Sequence, residues 1–299
     1  MKTFPALCLR LFTVLLLAAP VAAQEDDFND NNDTGWTRFT PLGAAATATY
    51  SVTGGTYSLS CSPSTNEAQL GPSRCAALRQ DKIYTTFCTM VDIVNFGPPA
   101  TEETSVGIIA RIQSSPSLGT VKGYTFTYQT KTGDVEINRT TNEEPTKLGS
   151  TLPVSLEAGT AYRMIFFGVG SHLEGRIYAK SDLTTPLIVA TATDATYTQG
   201  TAGIFIFSNG NTRCSATFDN YSANDGTSPP LSIAADGTNV SVSWDTAKGL
   251  GRTLEASNDL IQWSAVSEFT YLAPGTFYTE PILPEVPKRY FRLRLGPPP

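Results

Sequence analysis

Apolar and polar residues alternate along most of the chain in short runs. Gly55–Ser60, Tyr84–Ile93, Val106–Ile112, Gly123–Tyr128 and Asp134–Arg139 read this way, and so do Tyr162–Phe167, Leu173–Tyr178, Gly203–Phe207 and Ala216–Tyr221. β-Branched and aromatic residues dominate them, and a period of two sends alternate side chains to opposite faces of a strand. Turn formers separate the runs, as in Lys131-Thr-Gly-Asp134, Gly168-Val-Gly-Ser171 and Ser208-Asn-Gly-Asn211. No stretch sustains a capped stripe of period 3.6, so no long helix is expected. Strands at this spacing over about 200 residues predict two antiparallel sheets packed as a sandwich.

The pattern breaks at Asn224-Asp-Gly-Thr-Ser-Pro-Pro230. Gly, Ser and paired prolines mark 225–230 as a linker. Residues 231–295 carry strands of their own, Val240–Trp244, Arg252–Ala256, Phe277–Thr279 and Arg289–Leu295, with Trp244 and Trp263 to anchor a small core. They predict a small Ig/fibronectin-III-like β-sandwich. At the other end, Lys2 and Arg10 precede the apolar run Leu11–Ala19, and Val21-Ala22-Ala23 offers a small-residue cleavage site. Residues 1–23 therefore read as a secretory signal peptide, which places the protein outside the cell or on its surface. No other run is long and apolar enough to predict a membrane-spanning helix.

Composition narrows the chemistry. Charged residues make up 16% of the chain, against about a quarter in average proteins, and the net charge is −6. An acidic chain without a basic stripe excludes nucleic acid as a partner. The lone histidine, His172, excludes sites that need two, and it sits in a predicted hairpin turn rather than beside a nucleophile. Cys61, Cys75, Cys88 and Cys214 remain beyond the leader. An even number in a secreted chain predicts two disulfides. Spacing alone does not choose among the three pairings; the local pair Cys61–Cys75, with Cys88–Cys214 joining an early strand to a late one, is favoured.

Several stretches, in order, resemble a known family: Asp26-Asp-Phe-Asn-Asp-Asn-Asn-Asp-Thr-Gly-Trp36, Leu78-Arg-Gln-Asp81, Val106–Arg111, Gly123–Gln129, Gly170–Tyr178, Ala192–Tyr197 and Thr217-Phe-Asp-Asn-Tyr221. Residues 25–224 resemble the concanavalin A-like lectin/glucanase (LamG-like) jelly rolls of secreted bacterial proteins. The resemblance implies a jelly roll whose first and last strands lie side by side, and it leaves activity open. Residues 231–295, with Val242-Ser-Trp244, Thr253–Leu260, Trp263 and Tyr290–Arg294, resemble a C-terminal module of secreted proteins from environmental bacteria, which implies spacing or surface attachment.

Three chemistries can be weighed on the residues. Glycoside hydrolysis needs two convergent carboxylates. No Glu-x-Asp-x-Glu or Glu-x-Asp-x-x-Glu run occurs; Asp134 and Glu136 share a strand face but read as a solvated hairpin, and Asp92, among apolar neighbours, reads as a paired structural carboxylate. Calcium suits the alternating Asp27, Asn29, Asn31 and Asp33. The resemblance adds Asp219 on the last strand opposite Asp27; the bland alternative is an Asx-rich turn that satisfies its own backbone. Sugar binding needs aromatic faces and fixed polar groups. Arg111, Tyr124 and Tyr128 could line such a groove if their strand faces point outward; otherwise they are inter-sheet core. The expectation is a non-catalytic protein that binds an extracellular glycan or a cell-surface protein partner. The alternatives are a jelly-roll glycoside hydrolase and a structural matrix component.

Overall fold

The computed structural model describes residues 24–40, 47–63, 73–97, 104–113, 119–183, 185–208, 212–225, 231–244, 252–268, 276–283, 285–286 and 288–295. The leader at 1–23 and most of the linker at 225–230 lie outside the described residues. Among the described residues all the regular elements are strands. In spatial order the first sheet is β13 (Ile188–Thr193), β12 (His172–Ala179), β11 (Tyr162–Val169), β6 (Phe87–Phe96), β15 (Cys214–Asn224), β4 (Thr56–Cys61) and β3 (Ala48–Thr53), and β1 (Gln24–Asp26) also pairs with β15. The second is β10 (Glu144–Pro153), β9 (Asp134–Thr141), β8 (Lys122–Gln129), β7 (Ser105–Ile112), β14 (Gly200–Phe207), β5 (Arg74–Tyr84) and β2 (Trp36–Phe39). Neighbouring strands in both sheets are antiparallel, as a jelly-roll sandwich requires. The first and last strands do meet, with Asp26 opposite Tyr221.

The sheets pack through their inward residues. Val106, Ile108 and Ala110 of β7, Tyr124, Phe126 and Tyr128 of β8, and Ala202, Ile204 and Ile206 of β14 meet Val91, Ile93, Met164 and Phe166 of the first sheet. The Phe126 ring stacks 5.8 Å from Phe166. It also lies on Gly175 of β12, where an added Cβ would come within 2.3 Å of the ring. Glycine is thus required there for the sheets to approach.

Arg111 breaks the alternation. Ile109 pairs with Gly203 and Ile112 with Thr201, so β7 carries one extra residue between them. This is a β-bulge, and Arg111 sits in it at φ +50°. Ala110 and Arg111 consequently both point inward, while Ile109 and Ile112 pack together on the outer face. The Arg111 side chain is 1% exposed. Its guanidinium donates to the carbonyls of Thr85 (2.7 Å), Gly170 (2.9 Å) and Tyr197 (3.0 Å) and lies over the Phe87 ring. Burial pulls its pKa down, and the three carbonyls are what make a buried cation tolerable. They belong to three connections, so Arg111 ties one end of the sandwich together.

Of the two favoured cysteine pairings, the structure brings Cys61 and Cys75 together and separates Cys88 from Cys214. All four are buried, and no disulfide joins them. Cys88 pairs with Asn224, ten residues along β15 from Cys214. It packs with Met90, Ile165, Phe167 and Tyr178 in a cluster separate from the inter-sheet core that holds Cys214. A Cys88–Cys214 bond is therefore excluded: ten residues of strand span roughly 33 Å, and a disulfide needs Cα atoms within about 7 Å. Cys61, Cys75 and Cys214 converge instead. Cys61 stands opposite Cys214 in the sheet. The Cys61 and Cys75 thiols share a hydrogen bond that lowers the pKa of Cys61 and raises that of Cys75.

Residues 231–295 form a small β module. One sheet is β16 (Leu231–Ala235), β17 (Asn239–Trp244) and β20 (Thr276–Pro281); the other is β19 (Ser264–Glu268), β18 (Arg252–Ser257) and β21 (Tyr290–Leu295). Val242, Trp244 and Leu254 share a core with Tyr278, Phe291 and Leu293. Trp263 stays outside that core; the Arg292 guanidinium lies 4.1 Å over its ring.

Two outcomes follow from this architecture. Arg111→Ala should lower folding stability by about 3 kcal/mol or more, because it empties a buried site and removes the hydrogen bonds that join three connections; the urea midpoint measures this. Peptide mapping of the non-reduced protein should find Cys88 in no disulfide.

Candidate functional site

The outer face of the seven-stranded sheet carries a pocket of about 190 Å³. Alternation builds it. Once Tyr124, Phe126 and Tyr128 face the core, Thr125 and Thr127 must face outward. Register then lays rows of side chains across the strands. One row runs Phe39, Ala76, Phe205, Gly107, Thr127 and Glu136. The next runs Leu78, Gly203, Ile109, Thr125 and Asn138. Gly107 and Gly203 add no side chain to these rows, and an added Cβ would meet the Phe126 and Ala77 carbonyls of the neighbouring strands at 2.0 and 2.2 Å.

The lining is divided. Phe39, Ala76, Leu78, Ile109, Ile112, Val121 and Phe205 form a contiguous apolar patch on β2, β5, β7 and β14 and beside β8. Thr125, Thr127, Gln129, Glu136, Asn138 and Thr140 line the β8–β9 side. Glu136 is held by Thr151, which donates to Oε1 at 2.8 Å, and by Gln129, which donates to Oε2 at 3.3 Å. The solvated-hairpin reading of Glu136 is thus replaced by a mostly buried, pocket-lining carboxylate.

A second carboxylate reaches the pocket from its margin. Asn142 and Glu143 join β9 to β10 and both have positive φ, +52° and +69°. Two left-handed residues make the two-residue hairpin turn that normally carries Asn-Gly. Glutamate at the second position costs about 1 kcal/mol of backbone strain. Its side chain is fixed all the same. The Arg74 guanidinium of β5 grips Oε2, with Nε at 3.0 Å, and the Gly119 amide donates to Oε1 at 2.6 Å.

Glu136 and Glu143 do not form a hydrolytic pair. Seven residues along the hairpin separate their backbones by roughly 20 Å, whereas glycosidase carboxyls stand about 5–9.5 Å apart. Asp92, singled out in the sequence, is 2% exposed and bound by Arg163 (2.5 and 2.8 Å), Asn220 (3.0 Å) and Lys180. It is a structural ion pair. His172 opens β12, with Nε2 3.5 Å from Glu174.

The residues expected to bind sugar lie elsewhere. Arg111, Tyr124 and Tyr128 are at most 2% exposed and point into the core. The Tyr124 hydroxyl donates to Asp194 at 2.6 Å, and burial pushes its pKa up to about 12; the Tyr128 hydroxyl accepts from the Leu156 amide at 3.2 Å. The groove assignment of these three is corrected accordingly. The tyrosines follow the normal alternation, and the bulge turns Arg111 away from the outer face.

Asp27 and Asp219 share a corner. The carboxylate of Asp26 accepts from the Phe28 amide, Asp27 from Asn29, Asp30 from Asn32 and Asn32 from Thr34. This is the Asx ladder of the bland alternative. Asp33 is taken by Arg38 and Tyr57. Among the described residues no group of three or more His, Cys, Asp or Glu converges to hold a metal. Calcium at Asp27 and Asp219 stays a proposal, in which Asn side chains, backbone carbonyls and water would supply most of the 6–8 oxygens that ion takes. Asp219 is strained electrostatically. Burial first, then the Asp92 and Asp27 charges, raise its pKa, partly opposed by the Asn220 amide and Lys180.

The sequence matches no protein-family model and no curated protein. Solved structures with a similar arrangement of strands include a carbohydrate-binding module from Bacillus subtilis, at 14% identity and a TM-score of 0.47 over 64% of this chain and 97% of that one. Basic winged bean lectin, solved with Tn-antigen, is similar at 10% identity and 0.48 over 69% and 99%. Bacillus licheniformis β-glucanase is similar at 15% and 0.46 over 68% and 98%. Likeness at this level concerns strand arrangement alone.

The state of Asp219 has a measurable sign. A raised folded pKa gives stability that is present below the unfolded carboxylate range and lost as pH rises through the folded value. Asp219→Asn should therefore stabilise the protein at pH 7 more than at pH 4 in urea unfolding, equally in calcium and in chelator. A loss of stability confined to calcium would instead make Asp219 a metal ligand.

Proposed function

We propose that this is a secreted, non-catalytic glycan-binding protein whose ligand sits on the outer face of the seven-stranded sheet. The two-sided lining carries this reading. A pyranose presents apolar C–H groups on one side and hydroxyls around its edge. Phe205, Ile109 and Leu78 suit the first; Thr125, Asn138, Gln129 and Glu136 suit the second. Side chains on a rigid sheet lose little entropy on binding. The carboxylate spacing speaks against the hydrolase alternative. Secretion rests on the leader-like N-terminus, and the C-terminal module serves as a fibronectin-III-like spacer in this reading. Its neighbours on the cell surface are a further class of partner.

A glycan-array screen of the full chain tests the proposal. Saturable binding to one glycan class without product release is expected. Phe205→Ala and Asn138→Leu should each weaken it about tenfold, the scale of one lost packing or hydrogen-bond contact, while Arg111→Ala should act through stability. Undiminished binding in both pocket variants would place the ligand elsewhere. No glycan binding at all would leave the structural reading.

A further inference from the structure

Glu143 is an odd residue for its place. The turn it occupies is eased by glycine, yet glutamate stands there at φ +69°. Its carboxylate is not turned to solvent. It reaches the margin of the pocket and is only 11% exposed, gripped by the Arg74 guanidinium and the Gly119 amide. Three separate pieces of chain meet at that one carboxylate: β5, the segment before β8, and the β9–β10 turn. A guanidinium fork and a backbone amide aimed at the two oxygens of one carboxylate form an anion-recognition arrangement. Here the chain fills it with its own side chain.

We propose that Glu143 is an internal stand-in for a ligand carboxylate, and that the pocket binds an acidic glycan whose uronate group displaces Glu143 from Arg74 and the Gly119 amide. This deepens the glycan-binding reading and rests on it. The exchange conserves charge, since one carboxylate replaces another on the same donors and the displaced Glu143 becomes hydrated. The overall acidity of the protein opposes such a ligand only weakly, because exposed charges beyond about 8 Å are largely screened at physiological ionic strength. The apolar patch takes the C–H face of the same sugar ring. Glu143 thereby acts as a latch: apparent affinity is reduced by the fraction of molecules in which it occupies the donors.

The test compares an oligogalacturonate with its methyl ester, titrated calorimetrically into the full chain. The ester keeps the ring and hydroxyls and replaces the charged carboxylate with a neutral group one methyl larger. Glu143→Gly deletes the latch and relieves the turn, so folding is preserved and its melting temperature checks this. The acid-to-ester affinity ratio should rise about tenfold in Glu143→Gly relative to the unaltered protein, and the gain should shrink with added salt. Arg74→Gln should bring the ratio to about one. A ratio unchanged by Glu143→Gly, in a protein that does bind glycans, would overturn the latch and leave the glycan reading standing. Absence of binding to acid, ester and every neutral glycan of the array would overturn both.

Discussion

The packing of two sheets through one face each governs what the other faces can be. A strand residue has only two directions to point, and the inter-sheet core claims one of them. Once Phe126 stacks on Phe166 and rests against Gly175, the direction of every neighbour on β8 is set. Register carries the same choice across the sheet, strand by strand. The pocket on the outer face is the complement of the core, written in the intervening positions.

Charge inside this framework is handled locally. Among the described residues no carboxylate pairs with Arg111; loop carbonyls serve it instead. Asp92 has the opposite solution, with Arg163, Lys180 and Asn220 around one carboxylate. Such groups are costly to bury and costlier to strand, so each fixes the geometry around it more than it adds net stability. At Asp219 the compensation is incomplete, and the raised pKa records it.

The sandwich and the outline of its strands were legible in the sequence because alternation of period two is a direct record of burial. Tyr124 and Tyr128 show where that record stops. Their alternation marks a face without saying which face is in, and that depends on partners far along the chain. Thr125 and Asn138 carried no signal of their own, since small polar residues on a strand look solvated until register brings them together. Arg111 was misread for a sharper reason: a bulge is one residue of slippage, and it comes from pairing with β14 rather than from the local run. Cys88 and Cys214 failed similarly, as neither spacing nor parity reports that they occupy separate clusters. Glu143 left one faint clue, a glutamate after asparagine where a tight hairpin turn prefers glycine.

The place of β15 also bears on how the chain reaches this structure. β15 lies between β6 and β4, yet it is the last strand of the sandwich in the chain. A chain emerging from its N-terminus cannot complete the first sheet until residues 214–224 have appeared. Before then β4 and β6 present two unpaired edges, and closure joins Cys61 to a partner 153 residues away. Contacts of such long range make folding slow and late. The protein is thereby kept without its final form until almost all of the sandwich has been made, and a chain halted before residue 214 would offer the β4 and β6 edges to other strands.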